Sequence, residues 1–481
     1  MIHRLTTLQG RHLSTPDTPG VHLAVTPRST NSDLEALVHM KRMSALAATA
    51  VLGAFAVLPP ASAKAAAEQD AERVFREARG YTVRIRTQIT TPFIADRMGS
   101  FEGAGFLVDA ARGWIVTNAH VVGQSPSDVQ VAFAGEPFQS AHKVYVDCFA
   151  DVAVLSADKV GAGRKAAQLD CADDVRVGEP VGAFGHPLGM YFTGTRGIVS
   201  GKTDQEGPDL LQIDATVDHG NSGGPTLALR DGRVVGITTA GAGGDKADRL
   251  NFATPMKDVG RILDLLRRGI TPSPPFMQFS LLRDETGSHT LEVADCFDTL
   301  RWPLEPGDHI VGIQGEASKL RTLTDLVSGL RGRTGAVPLE IKRRGQAMTI
   351  EVTPLPSPLT TAERGISVDG ALIAPMEYED GTNMPTFQGL FVQSVDPGST
   401  AEALGLQLGD ILHTIDGRQF ADLDSLAGYL HAPREGRTLR VVLRRVSPSL
   451  HRWLDYLVRE MPGKDVRPVG MKSESVAQKT E

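Results

Sequence analysis

Three short segments of this chain carry residues suited to nucleophilic chemistry, in the order His, Asp, Ser. In Trp114-Ile115-Val116-Thr117-Asn118-Ala119-His120-Val121-Val122 an apolar run leads directly to an imidazole. In Asp147-Cys148-Phe149-Ala150-Asp151-Val152-Ala153-Val154-Leu155 a carboxylate stands at the mouth of another apolar run. In Asp218-His219-Gly220-Asn221-Ser222-Gly223-Gly224-Pro225 a hydroxyl is set between glycines. A serine hydroxyl attacks an amide near neutral pH only with a base in hydrogen-bond reach, a group that orients the base, and backbone donors for the oxyanion. His120 suits the base, Asp151 the orienter and Ser222 the nucleophile, with Asp147 the nearest rival to Asp151. An unpaired buried carboxylate is costly, so an aspartate opening a buried strand needs a partner such as a histidine N–H. The glycines around Ser222 permit the tight turn that exposes Oγ and aims the Gly220 and Ser222 amides at one point. Alone, these segments read as a core histidine, a capping aspartate and a glycine turn. All three together, in this order, point to acyl transfer.

The elements that must position them read as mainly β. Short β-like runs at 83–89, 105–108, 114–117, 129–133, 152–155, 181–184, 210–213 and 234–238 are separated by Gly, Pro and Asp turns, the pattern of a sandwich or barrel. Residues 256–268 read as a helix with Val259, Ile262, Leu263, Leu265 and Leu266 on one face, and the Pro-rich 271–275 as a linker. Beyond it the chain repeats at a spacing of about 100 residues. Pro306-Gly307-Asp308-His309-Ile310-Val311 aligns with Leu408-Gly409-Asp410-Ile411-Leu412-His413, and each copy is followed by a helix (323–330, 423–430) and a strand (339–344, 439–445). This spacing defines two tandem modules. In the tail, Leu450, Trp453, Leu454, Leu457 and Met461 share a helical face, which predicts a helix docked on the second module and a polar, disordered end after Gly463.

The 481 residues are 41% hydrophobic and 22% charged, which excludes a largely disordered chain. The formal charge of −7 offers no bulk attraction to nucleic acid or an anionic membrane. Three cysteines are too few for a disulfide scaffold and lack metal-ligand spacing, so no metal is expected. Residues 40–63 combine Met40-Lys41-Arg42-Met43, an apolar stretch at 45–58 and Pro59-Pro60-Ala61-Ser62-Ala63. They read as a signal peptide cleaved after Ala63, or as an anchor if uncleaved. Residues 1–39 then read as an over-long start or an N-terminal extension.

On Thr117-Asn118-Ala119-His120, Asp151-Val152-Ala153-Val154-Leu155 and Gly220-Asn221-Ser222-Gly223-Gly224-Pro225 the chain resembles the HtrA/Deg family, trypsin-like serine proteases followed by PDZ modules. Gly103-Ala104-Gly105-Phe106-Leu107-Val108 and Asn251-Phe252-Ala253-Thr254-Pro255 support the resemblance, which spans residues 70–447. It implies a cofactor-free endopeptidase domain at 70–268, built as a pair of six-stranded antiparallel barrels with the triad between them. PDZ-like α/β modules follow at 276–354 and 363–447, then a helix and polar tail at 448–481. Gly220, Asn221 and Ser222 would line the oxyanion hole. Val217, Phe252, Ala253 and Thr254 would wall a pocket for aliphatic side chains. PDZ modules capture extended C-terminal segments by adding a strand. In the second module Gly370-Ala371-Leu372 is the expected carboxylate-binding turn, with Gly365-Ile366 competing. The first, at 276–282, has no glycine where that turn belongs and is atypical. The family resemblance further implies a homotrimer or multiple of trimers, with Phe75 and Tyr81 as contacts, and a periplasmic role in degrading misfolded envelope proteins. Cys148 and Cys171 could pair if their strands are neighbours. The rival readings are a peptide-binding chaperone with a resting protease domain, and a regulatory protease with one target.

Overall fold

Alternation of apolar and polar residues over strands of four to eleven residues drives the first part of the chain to close on itself twice. The computed structural model describes residues 60–93, 96–172, 175–203, 208–239, 250–316, 319–357, 364–378, 387–432, 438–446 and 454–470. The expected signal-peptide core at 45–58 lies outside them. Helix α1 (Pro60–Tyr81) comes first, with a proline at its first position, where a missing N–H costs nothing. The expected cleavage after Ala63 falls in its first turn.

Six strands then form a closed antiparallel barrel: β1 (Thr82–Ile89), β2 (Gly99–Asp109), β3 (Trp114–Thr117), β4 (Ser127–Phe133), β5 (Gln139–Asp147) and β6 (Val152–Ala157), in spatial order β1-β2-β3-β6-β5-β4. A one-turn helix, α2 (Ala119–Val122), follows β3. The second barrel repeats the topology with β7 (Pro180–Gly185), β8 (Thr193–Thr203), β9 (Leu210–Ile213), β10 (Pro225–Ala228), β11 (Val234–Thr239) and β12 (Asn251–Pro255). Closure leaves neither barrel a free edge. Strands β5, β8 and β10 have no counterpart among the sequence-predicted runs: the exposed faces of β5 and β8 are polar over most of their length, and β10 is a four-residue strand opened by a proline.

Helix α1 lies along the second barrel, and Phe75 stacks on Phe184 with ring centroids 5.7 Å apart. A Cβ at Gly182 or Gly194 would come within 2.7 Å of the Phe75 ring, so two glycines make its seat. Phe75 and Tyr81, expected at a subunit contact, also pack within the chain, where Tyr81 is buried and Phe75 partly so. Cys148 and Cys171, left open as a possible pair, are not bridged: all three cysteines are free thiols. Cys148 accepts a hydrogen bond from Gln124, while Cys171 lies against Gly260, so the two face different elements.

Helix α3 (Met256–Arg267) buries Val259, Ile262, Leu263 and Leu265, as its periodicity predicts. The first module follows. A short pair, β13 (Pro275–Phe276) with β19 (Leu355–Pro356), clasps its ends. Between them is a five-stranded sheet of β14 (Phe279–Arg283), β15 (His289–Cys296), β16 (His309–Ile313), β17 (Val337–Arg343) and β18 (Gln346–Val352), with helix α4 (Leu323–Leu330) packed on it. The module is locked to the first barrel by Arg331, whose buried guanidinium donates to Asp147 and to the Pro272 carbonyl (2.9 Å). Tyr145 O–H also donates to Asp147, at 2.8 Å. On the second barrel's side, Lys257 pairs with Asp325 (2.7 Å) and Arg261 with Glu316 (3.0 Å).

The second module comprises β20 (Gly365–Val368), β21 (Ala371–Tyr378), β22 (Phe387–Val395), helix α5 (Thr400–Ala403), β23 (Ile411–Ile415), helix α6 (Leu423–His431), β24 (Leu439–Val446), β25 (Leu454–Met461) and β26 (Val466–Val469). They form a seven-stranded sheet in the order β25-β24-β23-β22-β21-β20-β26. Two expectations are overturned here. The tail at 454–461 is a strand rather than a helix, and 466–469 is a further strand, so the module runs past 447. Leu457 and Met461 are four apart, a spacing that fits a helical face and equally one face of a strand; pairing with Leu443 and Leu439 on β24 decides for the strand. Gly370-Ala371-Leu372 is not an open carboxylate-binding turn. Asp369 and Gly370 (φ +50° and +93°) make the tight turn of the β20–β21 hairpin, and Ala371 and Leu372 are paired on both sides, to β20 and β22.

The sequence repeat has a physical core. Asp308 accepts from Arg343 Nε and Nη2 at 2.8 and 2.7 Å; Asp410 accepts the same two bonds from Arg445 at 2.6 and 2.7 Å. Both aspartates are buried, and the Asp-to-Arg separation is 35 residues in each module. Asp410→Ala should destabilise the second module by about 2–3 kcal/mol, because it strands a guanidinium that needs a charged acceptor. Denaturant unfolding checks this, and an unmoved midpoint would mean the clamp is ornamental.

Candidate active site

Strand β3 runs out at Thr117, and buried Ala119, Val121 and Val122 pin the turn that follows against the barrel. His120 is left half exposed at the cleft. Asp151 precedes β6 in a left-handed conformation (φ +51°), which turns its carboxylate back toward that histidine. His120 Nδ1 lies 2.8 Å from Oδ2 and 3.0 Å from Oδ1, and the His120 backbone N–H donates to Oδ1 at 3.0 Å. A carboxylate only accepts, so Nδ1 carries the ring proton and Nε2 is the free base. Burial pushes the His120 pKa down, but the Asp151 hydrogen bond and charge outweigh it, and the imidazole stands above 6.5.

The strained aspartate is held from behind. Asn118 Nδ2 donates to the Asp151 carbonyl (2.9 Å) and to Thr239 Oγ1 (3.0 Å), and Thr239 Oγ1 reaches Asp151 Oδ2 at 3.4 Å. The rival Asp147 is committed elsewhere, to Arg331, Tyr145 and the Ala150 N–H. Thr239 was not legible as part of the site: a threonine ending an apolar strand looks like any other.

Ser222 lies in the loop ahead of β10, and its carbonyl accepts from Ala104 N–H of β2 at 2.8 Å. Glycines make this approach possible. A Cβ at Gly103 would lie 2.6 Å from Val121, next to His120, and 3.1 Å from the Ser222 carbonyl. One at Gly223 (φ +85°) would collide with Thr117 Oγ1 and the Ala104 carbonyl. Gly220 (φ +101°) leaves no room for a Cβ beside the His186 carbonyl. The two barrels thus bring the serine loop against the strand end that carries His120.

His186 is a residue that sequence reasoning missed. Its backbone N–H donates to the Gly220 carbonyl (3.1 Å), while its ring bridges Val83 O through Nε2 and Phe192 N–H through Nδ1, each at 3.0 Å. Burial, only partly opposed by the Val83 bond, lowers its pKa to about 4, so it stays neutral and keeps both bonds. In the sequence it is a histidine at the end of a strand, indistinguishable from a core residue.

The other residues expected at the site are placed as follows. The Asn221 N–H is spent on the Asp218 carbonyl (3.0 Å), so it is not an oxyanion donor. Val217 and Ala253 belong to the buried core of the second barrel. Alternation along β12 puts Phe252 and Thr254 on the face opposite Ala253, and Thr254 Oγ1 reaches toward the Ala150 carbonyl at 3.4 Å. The side chains of residues 252–254 are thus divided between the two faces of β12.

Double barrels with a His–Asp pair on one and a glycine-flanked serine on the other define a trypsin-like serine peptidase, and residues 103–237 match the trypsin-like peptidase domain. Residues 391–444 match the PDZ domain. A DegP-like periplasmic serine endoprotease of Rhizobium meliloti is 31% identical over 70% of this chain and 71% of its own length. One of Bartonella henselae is 31% identical over 70% of each. The crystal structure of the serine endoprotease from Yersinia pestis is similar at 23% identity and a TM-score of 0.44, over 60% of this chain and 97% of that one. The chain belongs to the family of DegP-like periplasmic serine endoproteases. It is a serine endopeptidase with a PDZ domain in its second module.

The paired geometry fixes a titration. In NMR, the His120 ring should titrate above pH 6.5, and Asp151→Asn should move the midpoint to lower pH, because it removes the carboxylate charge that favours the imidazolium while burial remains. An unmoved midpoint would show that the carboxylate does not control this imidazole.

Proposed function

We propose that His120 is the general base, Asp151 its orienter and Ser222 the nucleophile, with the amides of Gly220 and Ser222 receiving the oxyanion. Nε2 takes the Ser222 hydroxyl proton as Oγ bonds to the substrate carbonyl carbon. The imidazolium, held by Asp151, then protonates the leaving amine as the C–N bond breaks, and water repeats the sequence on the acyl-enzyme. The observation that carries this reading is the double hydrogen bond between His120 and Asp151, set against the glycine-built loop of Ser222.

The substrates of this reading are unfolded polypeptides in the periplasm, reached after export and signal-peptide removal near Ala63. The relatives' printed names support that location. The second module supplies the peptide-binding function typical of PDZ domains. The first is PDZ-like as well, a reading supported by the matching Asp308–Arg343 and Asp410–Arg445 clamps.

Casein turnover at neutral pH, by the purified chain and by Ser222→Ala, tests the assignment. The variant should lose about 10⁶-fold in kcat. Equal cleavage by both would remove Ser222 from the role. Silence from both, with folded protein, would favour a peptide-binding chaperone.

The acid limb of kcat/KM gives a second test. The base must be neutral, so activity should fall as pH drops through the raised His120 pKa. Asp151→Asn should shift that limb to lower pH and cut kcat about 10⁴-fold. A limb that stays in place would assign it to another group.

A further inference from the structure

Strand β20 has two edges, and a distant segment of the same chain occupies one of them. Its inner edge pairs with β21; its outer edge takes β26, with Gly365 opposite Val469, Ile366 opposite Pro468, Ser367 opposite Arg467 and Val368 opposite Val466. Helix α6 packs beside both β20 and β26, so the added strand lies in the groove between a strand and a helix. Adding an extended peptide to such an edge is how PDZ domains bind their ligands. We propose that the outer edge of β20 is the peptide-docking edge of this PDZ domain, and that residues 466–469 fill it as a ligand in cis. The proposal rests on the peptide-binding reading of the second module.

Four observations carry it. First, the strand is delivered by a built anchor. The buried Asp369 carboxylate accepts the N–H groups of Gly463 (2.6 Å), Lys464 (3.0 Å) and Asp465 (3.1 Å), and Asp369 N–H donates to the Asp465 carbonyl at 2.8 Å. Second, the side chains fit as a ligand's would. Val466 packs on the module core, while Val469 packs against the separate cluster of Phe93, Leu372 and Ala374.

Third, the fold does not need this strand. The first module closes its core with five strands, and its first strand, β14, has no strand on its outer edge among the described residues.

Fourth, the occupant shuts the edge. The bond between Asp369 and Asp465 makes 367/467 and 365/469 the hydrogen-bonded pairs, so 366/468 is a non-bonded pair. Pro468 therefore loses no ladder bond and leaves the outer side of β26 without a donor there, which discourages a further strand. While β26 is docked, a foreign peptide has no place on β20. The competitor this groove fits is an extended unfolded segment with aliphatic residues three apart, as Val466 and Val469 are. Tethering gives the cis strand a high effective concentration, yet four residues make a short ladder that a longer peptide can replace.

The test uses the full chain carrying Ser222→Ala, so that the probe is not cut, and the same chain ended after Pro462. The probe is a fluorescent peptide of residues 463–470. The shortened chain should bind it at least about tenfold more tightly than the full chain. Hydrogen exchange at the Gly365 and Ser367 amides should be slow in the full chain, fast in the shortened one, and slow again with peptide. The full-length double variant Val466→Asp, Val469→Asp should behave as the shortened chain does, which guards against damage from truncation. Equal binding by the full and shortened chains, or none by either, overturns the proposal, as do β20 amides indifferent to the tail. Casein turnover by the chain with Ser222 intact reports separately on the protease reading, so either can fail alone.

Discussion

One hydrogen bond registers the chemistry of this protein: the Ala104 N–H on the first barrel donates to the Ser222 carbonyl on the second. Each barrel alone holds half of the site. The first contributes an oriented imidazole and its carboxylate; the second contributes a hydroxyl on a turn. Close contacts between the barrels set the two halves side by side. These contacts require glycine at 103 and 223, where any side chain would strike Val121, Thr117 or the backbone. His186 makes another crossing, from the Gly220 turn to Val83 of the first barrel, and Thr239 a third, to Asn118 and Asp151.

Behind the site, a buried pair joins the first module to the same barrel. Asp147 and Arg331 are both almost fully excluded from solvent, and the Asp147 carboxylate also holds the Ala150 N–H, one residue ahead of Asp151. Desolvating two charges is expensive, and breaking one partner away leaves the other stranded. The arrangement therefore favours one placement of helix α4 against the barrel over competing ones. The Asp–Arg clamps inside the modules act on the same principle, at a turn rather than an interface.

Much of this was legible in the residues. The apolar runs at 114–117 and 210–213 are strands β3 and β9 to the residue, and the helix after the second barrel has the predicted apolar face. The glycine-flanked Ser222 and the repeat at Asp308 and Asp410 are local chemistry, visible because the turns themselves demand those residues. The misreadings fell where one pattern serves two structures. Leu457 and Met461 suit a helix or a strand, and only Leu443 and Leu439 across the ladder choose between them.

The sequence by itself determined the class of chemistry, a mainly β fold and the presence of a repeated module, because each rests on residue type and short-range spacing; the pairing of two six-stranded barrels came only with the resemblance to the HtrA/Deg family. The tertiary structure alone decided which carboxylate serves His120, which face of β12 turns to the core, and which strand occupies the edge of β20. These depend on partners far apart along the chain: 31 residues for His120 and Asp151, 184 for Arg331 and Asp147. A carboxylate or a strand edge looks the same in sequence whatever it meets. Its role follows from the donor, charge or ladder that folding brings within 3 Å.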